Sequence, residues 1–284
     1  MTGEWKQRLK QRLKPAYFGG RRAVTQALFG YDANAFGAAL GALGIATGDT
    51  LLVHSAFLRD SGYTGTAGEI VDALIARVGD DGNVVMMSMP YSGSSERYVA
   101  TAPVFDVARS PTALGMIAET FRRRAGVLRS ANPLHPITAH GPLADWLTAD
   151  HDQSAYSCGR GSPFERFLSL DGKLLFYDAS YSSMTFMHYV EDHFRARLPV
   201  ALYDDEPVAL TIRDRDGRER RLRQYFFSRE ARERRHFAPV EQALRDSGAL
   251  REATVGRSAL LCVGARDVVA AAGALLDAGT GFYH

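Results

Sequence analysis

Apolar segments of strand length alternate with helical patterns along this chain, and this alternation most restricts the folds that it can adopt. The apolar segments lie at residues 51–53, 84–89, 174–177 and 258–263, and each is short enough for a buried strand. Helical patterns lie at residues 67–78, 110–121, 162–171, 185–191 and 268–276. Strands that alternate with helices are typical of α/β proteins. The sequence therefore predicts an α/β fold with a mixed, largely parallel central sheet flanked by helices.

Capping signals mark three of the predicted helix starts. Thr66 and Glu69 have the spacing of a capping box. Ser110-Pro111 predicts a helix with proline at its first position. Ser162-Pro163-Phe164-Glu165 combines both signals, so three helix N-termini are predicted at these points.

A polar segment near the C-terminal third predicts an inserted lobe. Residues 208–225 have the pattern of a β-hairpin around Asp216-Gly217, a strong short-turn signal. We find neither an internal repeat nor a clear linker. The chain is therefore interpreted as one domain over residues 1–284, with a basic N-terminal helix over 1–30 and a hairpin and helix lobe over 200–250.

Positive charge is concentrated in two segments, although the net charge is only +2. Residues 1–30 carry a balance of +6 and residues 213–235 a balance of +5, which leaves −9 for the rest. The second segment contains ten arginines: Arg213, Arg215, Arg218, Arg220, Arg221, Arg223, Arg229, Arg232, Arg234 and Arg235. No nucleic-acid-binding motif accompanies this charge, so no nucleic-acid partner is predicted. A solvated surface and a contact with an anionic ligand or partner both stay open.

Composition predicts an ordinary globular protein, with 46% hydrophobic and 23% charged residues. No apolar run approaches the roughly 18 residues of a membrane span, and the N-terminus has no apolar signal core. We therefore expect a cytoplasmic protein without a membrane partner. Cys158 and Cys262 are the only cysteines, and their spacing fits neither a disulfide framework nor a zinc site.

The segment at residues 185–191 is the strongest candidate for chemistry. His188 and Glu191 lie three residues apart on a predicted helix, so their side chains share a face. A carboxylate beside an imidazole fixes the tautomer of the imidazole and raises its basicity, as a general base requires. Such pairs also occur by chance on surface helices, so the spacing alone leaves both interpretations open.

Other chemistries lack their motifs. The chain has no Gly-x-Gly-x-x-Gly, Walker or Gly-x-Ser-x-Gly segment. His193 follows His188 by five residues, whereas an inverted zinc motif requires a spacing of four. No metal is therefore expected, and nothing near Cys158 indicates an activated thiolate.

Five segments in order resemble the aminoglycoside 3-N-acetyltransferase family, also called the antibiotic N-acetyltransferase family. They are His54-Ser55, Arg129-Ser130-Ala131-Asn132-Pro133, Gly159-Arg160-Gly161-Ser162-Pro163, Gly172-Lys173-Leu174-Leu175 and Thr185 through Glu191. The resemblance covers about residues 35–195, with a weaker similarity in the last strand and helix. It implies an enzyme that transfers an acyl group, usually acetyl, from coenzyme A to a primary amine.

The resemblance also implies roles for particular residues. His188 would be the general base, Glu191 its orienting carboxylate, and Thr185 a donor to the oxyanion, although a helix-capping role for Thr185 is equally open. The acetyl-CoA co-substrate would contact Ser55, Phe57, Ser110, Thr112, Gly115, Arg129 and Ser130. Ser110 could instead be a plain helix cap. Attack by the amine would be direct, because neither cysteine occupies a nucleophile position.

Departures from the family pattern bear on the acceptor. Asn132 and Pro136 stand where the family commonly has His and Ser, with His135 one position earlier, and Asp178 stands where Gly often closes the central strand. Asp178, Asp205 and Glu206 are the candidate substrate contacts. If the arginines border the acceptor site, an anionic or nucleotide-linked amino sugar fits better than an aminoglycoside. An aminoglycoside acceptor, a binder of an anionic ligand without catalysis, and a homodimer are the alternatives left open.

Overall fold

The predicted strands meet in one seven-stranded sheet in a computed structural model that describes residues 23–58 and 60–283. Ten strands are described: β1 Thr50–Ser55, β2 Asn83–Met87, β3 Val104–Asp106, β4 Leu128–Arg129, β5 Ile137–His140, β6 Lys173–Tyr177, β7 Val208–Arg213, β8 Glu219–Gln224, β9 Arg251–Val255 and β10 Ser258–Gly264. The large sheet has the order β4-β5-β2-β1-β6-β10-β9. All four predicted strands are confirmed as β1, β2, β6 and β10, and they are adjacent in the interior of this sheet.

The helices described are α1 at residues 23–29, α2 Ala33–Ala42, α3 Ala67–Val78, α4 Ser95–Ala100, α5 Met116–Arg122, α6 Ala144–Thr148, α7 Pro163–Ser169, α8 Phe186–His193, α9 Arg229–Arg234, α10 Ala238–Asp246 and α11 Ala265–Asp277. Within the described residues, no helix combines the length and apolar character needed to cross a membrane. Most of the predicted basic helix over 1–30 lies outside the described residues.

The sheet is mixed, as predicted, but less parallel than expected. Only the β1–β2 and β1–β6 pairs are parallel. The outer pairs, β2–β5, β4–β5, β6–β10 and β9–β10, are antiparallel. The parallel order is thus confined to the three central strands, whose carboxyl ends meet at one edge of the sheet.

Helices cover both faces of the sheet because successive strand residues point to opposite sides. Leu52, Val85 and Phe176 pack with α6, α7, α8, α10 and α11 in one core. Leu51 and Val84 pack with α2, α3 and α5 in the other. The candidate site lies on the side of the sheet that carries α8.

The predicted hairpin forms as β7 and β8, but a third strand joins it. β3 pairs parallel to β7, and the three strands make a second sheet with its own small core around Phe105 and Ile212. The lobe is therefore tied to a segment about a hundred residues earlier in the chain rather than being a free hairpin.

The capping box at Thr66 and Glu69 is confirmed, whereas the helix start at Ser110-Pro111 is wrong. The hydroxyl of Ser110 accepts a hydrogen bond from Asp106 N at 2.9 Å, and that of Thr112 donates to Met89 O at 3.0 Å. These contacts hold residues 110–114 as a loop between the end of β3 and the segment after β2, and α5 begins after Gly115, whose φ of 95° favours glycine.

The helix start at Ser162 forms with Pro163 at its first turn, as predicted. Its capping box does not close, however. The Ser162 hydroxyl accepts from Phe164 N at 3.3 Å, and the Glu165 carboxylate accepts from Gly161 N at 2.7 Å. The side chains of Ser162 and Glu165 therefore still cap the helix, but they accept from Phe164 N and Gly161 N and not from the two amides of a capping box.

Candidate active site

The predicted histidine–glutamate pair forms on α8. This helix follows β6 after a short 3-10 turn, and Phe186, Met187 and Val190 anchor it in the core without exposed surface. Nδ1 of His188 lies 2.9 Å from Oε2 of Glu191. The contact leaves Nε2 of His188 as the ring nitrogen without a partner among the described residues.

The Glu191 carboxylate is fully buried and has two further donors. Arg235 Nε donates to Oε1 at 2.7 Å, and the Tyr283 hydroxyl donates to the same oxygen. The side chain of Glu191 is 0% exposed, against 21% for His188. Only the imidazole of this pair therefore reaches solvent.

The electrostatic setting keeps the imidazole neutral and the carboxylate ionised. Burial lowers the pKa of His188, and although the Glu191 hydrogen bond opposes this, the net direction is downward. Burial raises the pKa of Glu191, but the hydrogen bonds from His188 and Arg235, with the positive charge of Arg235, bring it below its usual value. A neutral imidazole beside a carboxylate is the state that accepts a proton.

His188 opens into a cleft of about 760 Å³ between the large sheet and the lobe. The segment from Met89 to Glu96, at the start of α4, lines the cleft together with Leu114. Phe227, Arg232 and Arg235 also line it, and Arg232 is paired with Glu96. The cleft lies beyond the carboxyl ends of the parallel strands, where α/β proteins commonly bind ligands.

Thr185 lies in the same cleft as His188. It precedes α8 as the N-cap residue, but its hydroxyl caps no backbone amide. The capping interpretation left open by the sequence is therefore not what the structure has. The hydroxyl is available as a donor one helical turn from the imidazole.

The residues predicted to contact acetyl-CoA are divided between the cleft border and the interior. Thr112 is tied to Met89, a residue of the cleft wall, and a side-chain carbon placed on Gly115 would meet no atom within 4 Å. Ser55 ends β1, and Phe57 packs against Tyr63 with ring centroids 6.2 Å apart. Neither Ser55 nor Phe57 lines the cleft beside His188.

Arg129 and Ser130 are internal supports in this structure. The guanidinium of Arg129 donates to Ser88 O and Ser110 O and lies over the Phe105 ring at 4.5 Å. Burial lowers its pKa to about 9. Ser130 is 0% exposed and bonds to His151 Nδ1 at 2.9 Å. Both side chains are buried and bonded to other parts of the protein.

The three predicted substrate carboxylates lie outside the cleft beside His188. Asp178 has a φ of 51° and accepts from the Ser258 hydroxyl at 2.7 Å and from Ala259 N at 3.0 Å. Its left-handed backbone explains why glycine suits this position. Asp205 and Glu206 are exposed in the turn before β7, where Glu206 approaches Arg223.

Sequence reasoning missed several residues that shape the cleft. His135 lines it, with its ring centroid 5.6 Å from that of His188, and Ser157 Oγ lies 2.7 Å from its Nδ1. Phe227 packs at 4.9 Å from His188. The arginine-rich segment had drawn attention to Arg232 and Arg235, but no local pattern pointed to Tyr283.

Neither cysteine is placed to act as a nucleophile. Cys158 and Cys262 are free and buried. Burial raises the pKa of Cys158, and it raises that of Cys262 to about 11. Both thiols are therefore protonated and inaccessible near neutral pH.

Comparison with known proteins gives a family match over most of the chain. The profile described as aminoglycoside 3-N-acetyltransferase matches residues 52–277. Aminoglycoside N(3)-acetyltransferase IV of Salmonella sp is 31% identical over 232 residues, which cover 81% of each chain. Aminoglycoside N(3)-acetyltransferase III of Acinetobacter baumannii is 35% identical over 161 residues, which cover 52% of this chain and only 56% of that protein.

Among solved structures, the protein described as AAC-IIIb, in a binary complex with CoASH, has the same fold. The TM-score is 0.71 at 24% identity, over 89% of this chain and 99% of the other. The mixed sheet flanked by helices is therefore the architecture of a known group of proteins.

Proposed function

Since the chain belongs to the aminoglycoside 3-N-acetyltransferase family, we propose that it transfers an acetyl group from acetyl-CoA to a primary amine of an amino sugar. The observation that carries this proposal is the buried His188–Glu191 pair at the base of the cleft. We assign the whole chain to one acyltransferase domain. We also place the protein in the cytoplasm, because acetyl-CoA is an intracellular metabolite.

The proposed reaction is a direct transfer. The lone pair of the neutral amine attacks the thioester carbonyl carbon, and Nε2 of His188 takes one proton from the nitrogen as the carbon–nitrogen bond forms. The tetrahedral intermediate collapses with cleavage of the carbon–sulfur bond, and the departing thiolate of coenzyme A takes that proton from the imidazolium, which returns His188 to its neutral form. Glu191 stabilises the imidazolium that forms, and general-base catalysis of this kind contributes about 10²–10⁴-fold.

Thr185 is proposed as a donor to the oxygen that becomes negative in the intermediate. Its hydroxyl borders the same cleft and caps no backbone amide. A donor already in place costs no reorganisation at the moment of reaction. We propose Thr112 and Gly115 for the border along the acyl-donor arm, with Ser55 and Phe57 further out. Arg129, Ser110 and Ser130 support that border from beneath.

The first candidate acceptor is an aminoglycoside, because the matching relatives carry that name. A second candidate is an anionic or nucleotide-linked amino sugar, which one observation favours. Arg232 and Arg235 line the cleft, where Arg232 is paired with Glu96 and Arg235 with Glu191. A guanidinium group has five N–H donors, and those left after pairing suit a phosphate or carboxylate on the acceptor better than a polycation.

An acetylation screen tests the proposal and separates the two acceptors. The purified protein is incubated with acetyl-CoA and either aminoglycosides or nucleotide-linked amino sugars, and both free thiol and acetylated product are measured. We expect turnover with one class and none with the other. Absence of acetylated product from both panels would contradict the proposed activity.

A further inference from the structure

The carboxylate behind the proposed base is held from two distant parts of the chain. Oε1 of Glu191 accepts hydrogen bonds from Arg235 Nε, at 2.7 Å, and from the Tyr283 hydroxyl, while Oε2 faces His188 Nδ1 at 2.9 Å. Arg235 follows α9 of the lobe, and Tyr283 follows α11. One oxygen of the Glu191 carboxylate thus contacts the proposed base, and the other accepts the hydrogen bonds from Arg235 and Tyr283.

The two supporting residues also support each other. Arg235 and Tyr283 are paired by an antiparallel backbone bridge, and His236 N donates to Phe282 O at 3.0 Å. The Arg235 guanidinium lies over the rings of Phe227, at 4.8 Å, and Phe237, at 5.5 Å. The donors therefore approach Glu191 as one prearranged unit rather than as two independent side chains.

We propose that Arg235 and Tyr283 are positioning residues that clamp the Glu191 carboxylate, so that His188 is held in one tautomer with Nε2 as its proton acceptor. This inference rests on the proposed function, because it explains how the proposed base is oriented. It adds two residues that act through Glu191 and not on the acceptor amine.

A buried carboxylate requires such a clamp. An ionised carboxylate without exposed surface is costly unless it is paired and hydrogen-bonded. Arg235 supplies the opposite charge. Burial raises the pKa of Tyr283, with the Glu191 charge acting in the same direction, so the phenol stays a protonated donor. With both donors on Oε1, the carboxylate cannot rotate away from the imidazole without losing them.

The clamp also affects the pKa of the proposed base. The positive charge of Arg235 lowers the pKa of His188, against the rise caused by Glu191. The other charged or titratable groups near His188 are His135 across the cleft and Arg232, which is paired with Glu96 of α4. Loss of Arg235 charge, or of the Tyr283 hydrogen bond, leaves more negative charge on Glu191 and stabilises the imidazolium.

Tyr283→Phe is the sharpest test, because Tyr283 does not line the cleft and the change removes one hydroxyl. We expect kcat to fall about tenfold, by analogy with the 10–100-fold losses at metal sites when the partner that orients a histidine is removed. The KM for acetyl-CoA should not change. The pKa of His188, followed by ¹³C NMR of its imidazole in the substrate-free protein, should rise.

The matched control is Tyr203→Phe, which also removes a phenol-to-carboxylate hydrogen bond, here to Asp192 at 2.9 Å. It should leave the titration of His188 unchanged. Arg235→Met should raise the pKa of His188 more than Tyr283→Phe does, and Arg235→Lys, which keeps the charge, less than Arg235→Met. If Arg235→Met does not fold, Tyr283→Phe and Arg235→Lys still carry the test.

An unchanged His188 titration in the folded Tyr283→Phe protein would overturn the clamp. A shift equal to that of Tyr203→Phe would overturn it as well, because it would indicate a general packing effect. The NMR titration needs no acceptor. If the protein acetylates nothing, the proposed function fails while the titration still decides the clamp.

Discussion

Neighbouring side chains at the cleft have different roles, and the position of each side chain determines its role. His188 reaches the cleft, whereas Glu191 behind it has no exposed surface. Their contact was predictable because i and i+3 spacing is a local property of a helix. The contacts of Arg235 and Tyr283 with Glu191 were not predictable, since these residues lie 44 and 92 positions from Glu191 in the sequence.

Thr185→Val should impair the chemical step rather than binding. If its hydroxyl donates to the developing oxyanion, the loss should lower kcat by about 10²–10³-fold, as the removal of an oxyanion donor does elsewhere. Thr185→Ser keeps the hydroxyl and should retain most of the activity. Steady-state kinetics of thiol release decide this, and equal kcat values for the Val variant and the parent protein would exclude Thr185 from the reaction.

Asp178 should prove important for stability and not for turnover. Its side chain accepts two hydrogen bonds near β10 and its φ is 51°. Asp178→Ala loses both bonds and keeps an unfavourable backbone, so it should be less stable than Asp178→Gly by about 1 kcal/mol. Urea unfolding measures the difference. A loss of acceptor affinity in the Gly variant would restore Asp178 as a substrate contact.

At the scale of elements, the sequence identified those that are apolar and locally capped. β1, β2, β6 and β10 have continuous apolar runs, and α3 has its capping box. β4 has two residues and β9 has no fully buried one, so neither has a strand pattern to detect. The start of α5 was misplaced because the Ser110 hydroxyl closes a turn with Asp106 N and Thr112 bonds to Met89 O, 23 residues earlier, a contact that no local signal reveals.

The arginines of the lobe fall into two groups by element. Those of the hairpin β7–β8 point largely to nearby acids or solvent, for example Arg213 to Glu219 at 2.6 Å and Arg220 to Asp152 at 2.7 Å. Arg232 of α9 borders the cleft instead. The positions of the arginines in the sequence could not separate these two groups, because the separation depends on which strand or helix each arginine occupies.

Arg232→Met should therefore raise the KM for an anionic acceptor by about 10–100-fold, as loss of a charge-assisted hydrogen bond of about 1.5–3 kcal/mol implies. Arg221→Met, in β8, is the matched control and should leave that KM unchanged. Kinetics with nucleotide-linked amino sugars test the pair. Equal effects of the two substitutions would indicate long-range charge rather than contact.

Across the whole molecule, buried histidines link stability to pH. Burial lowers the pKa values of His54 and His151 to about 4 each, and it also lowers that of His135. The unfolded chain binds protons near pH 6.5, where the folded protein does not. Stability is therefore complete above pH 6.5 and is lost as the pH falls toward 4, by an amount of the order of 3 kcal/mol each for His54 and His151.

Thermal unfolding between pH 7 and pH 4 checks this expectation. His54 stacks on Phe176 with centroids 5.0 Å apart, and its Nε2 has no partner among the described residues. His54→Phe keeps the stacking and removes the titrating group, so its melting temperature should fall less steeply with acid than that of the parent protein. Parallel melting curves for the two proteins would show that His54 does not contribute.

The most direct test of the account is the rate of thiol release from acetyl-CoA by a His188→Asn variant, measured with the best acceptor of the screen. Asparagine keeps a donor toward Glu191 but cannot accept the amine proton, so kcat should fall by about 10²–10⁴-fold. His193→Asn, at the exposed end of the same helix, should keep the parent rate. A His188→Asn protein that turns over within twofold of the parent would contradict the role of His188 as the general base.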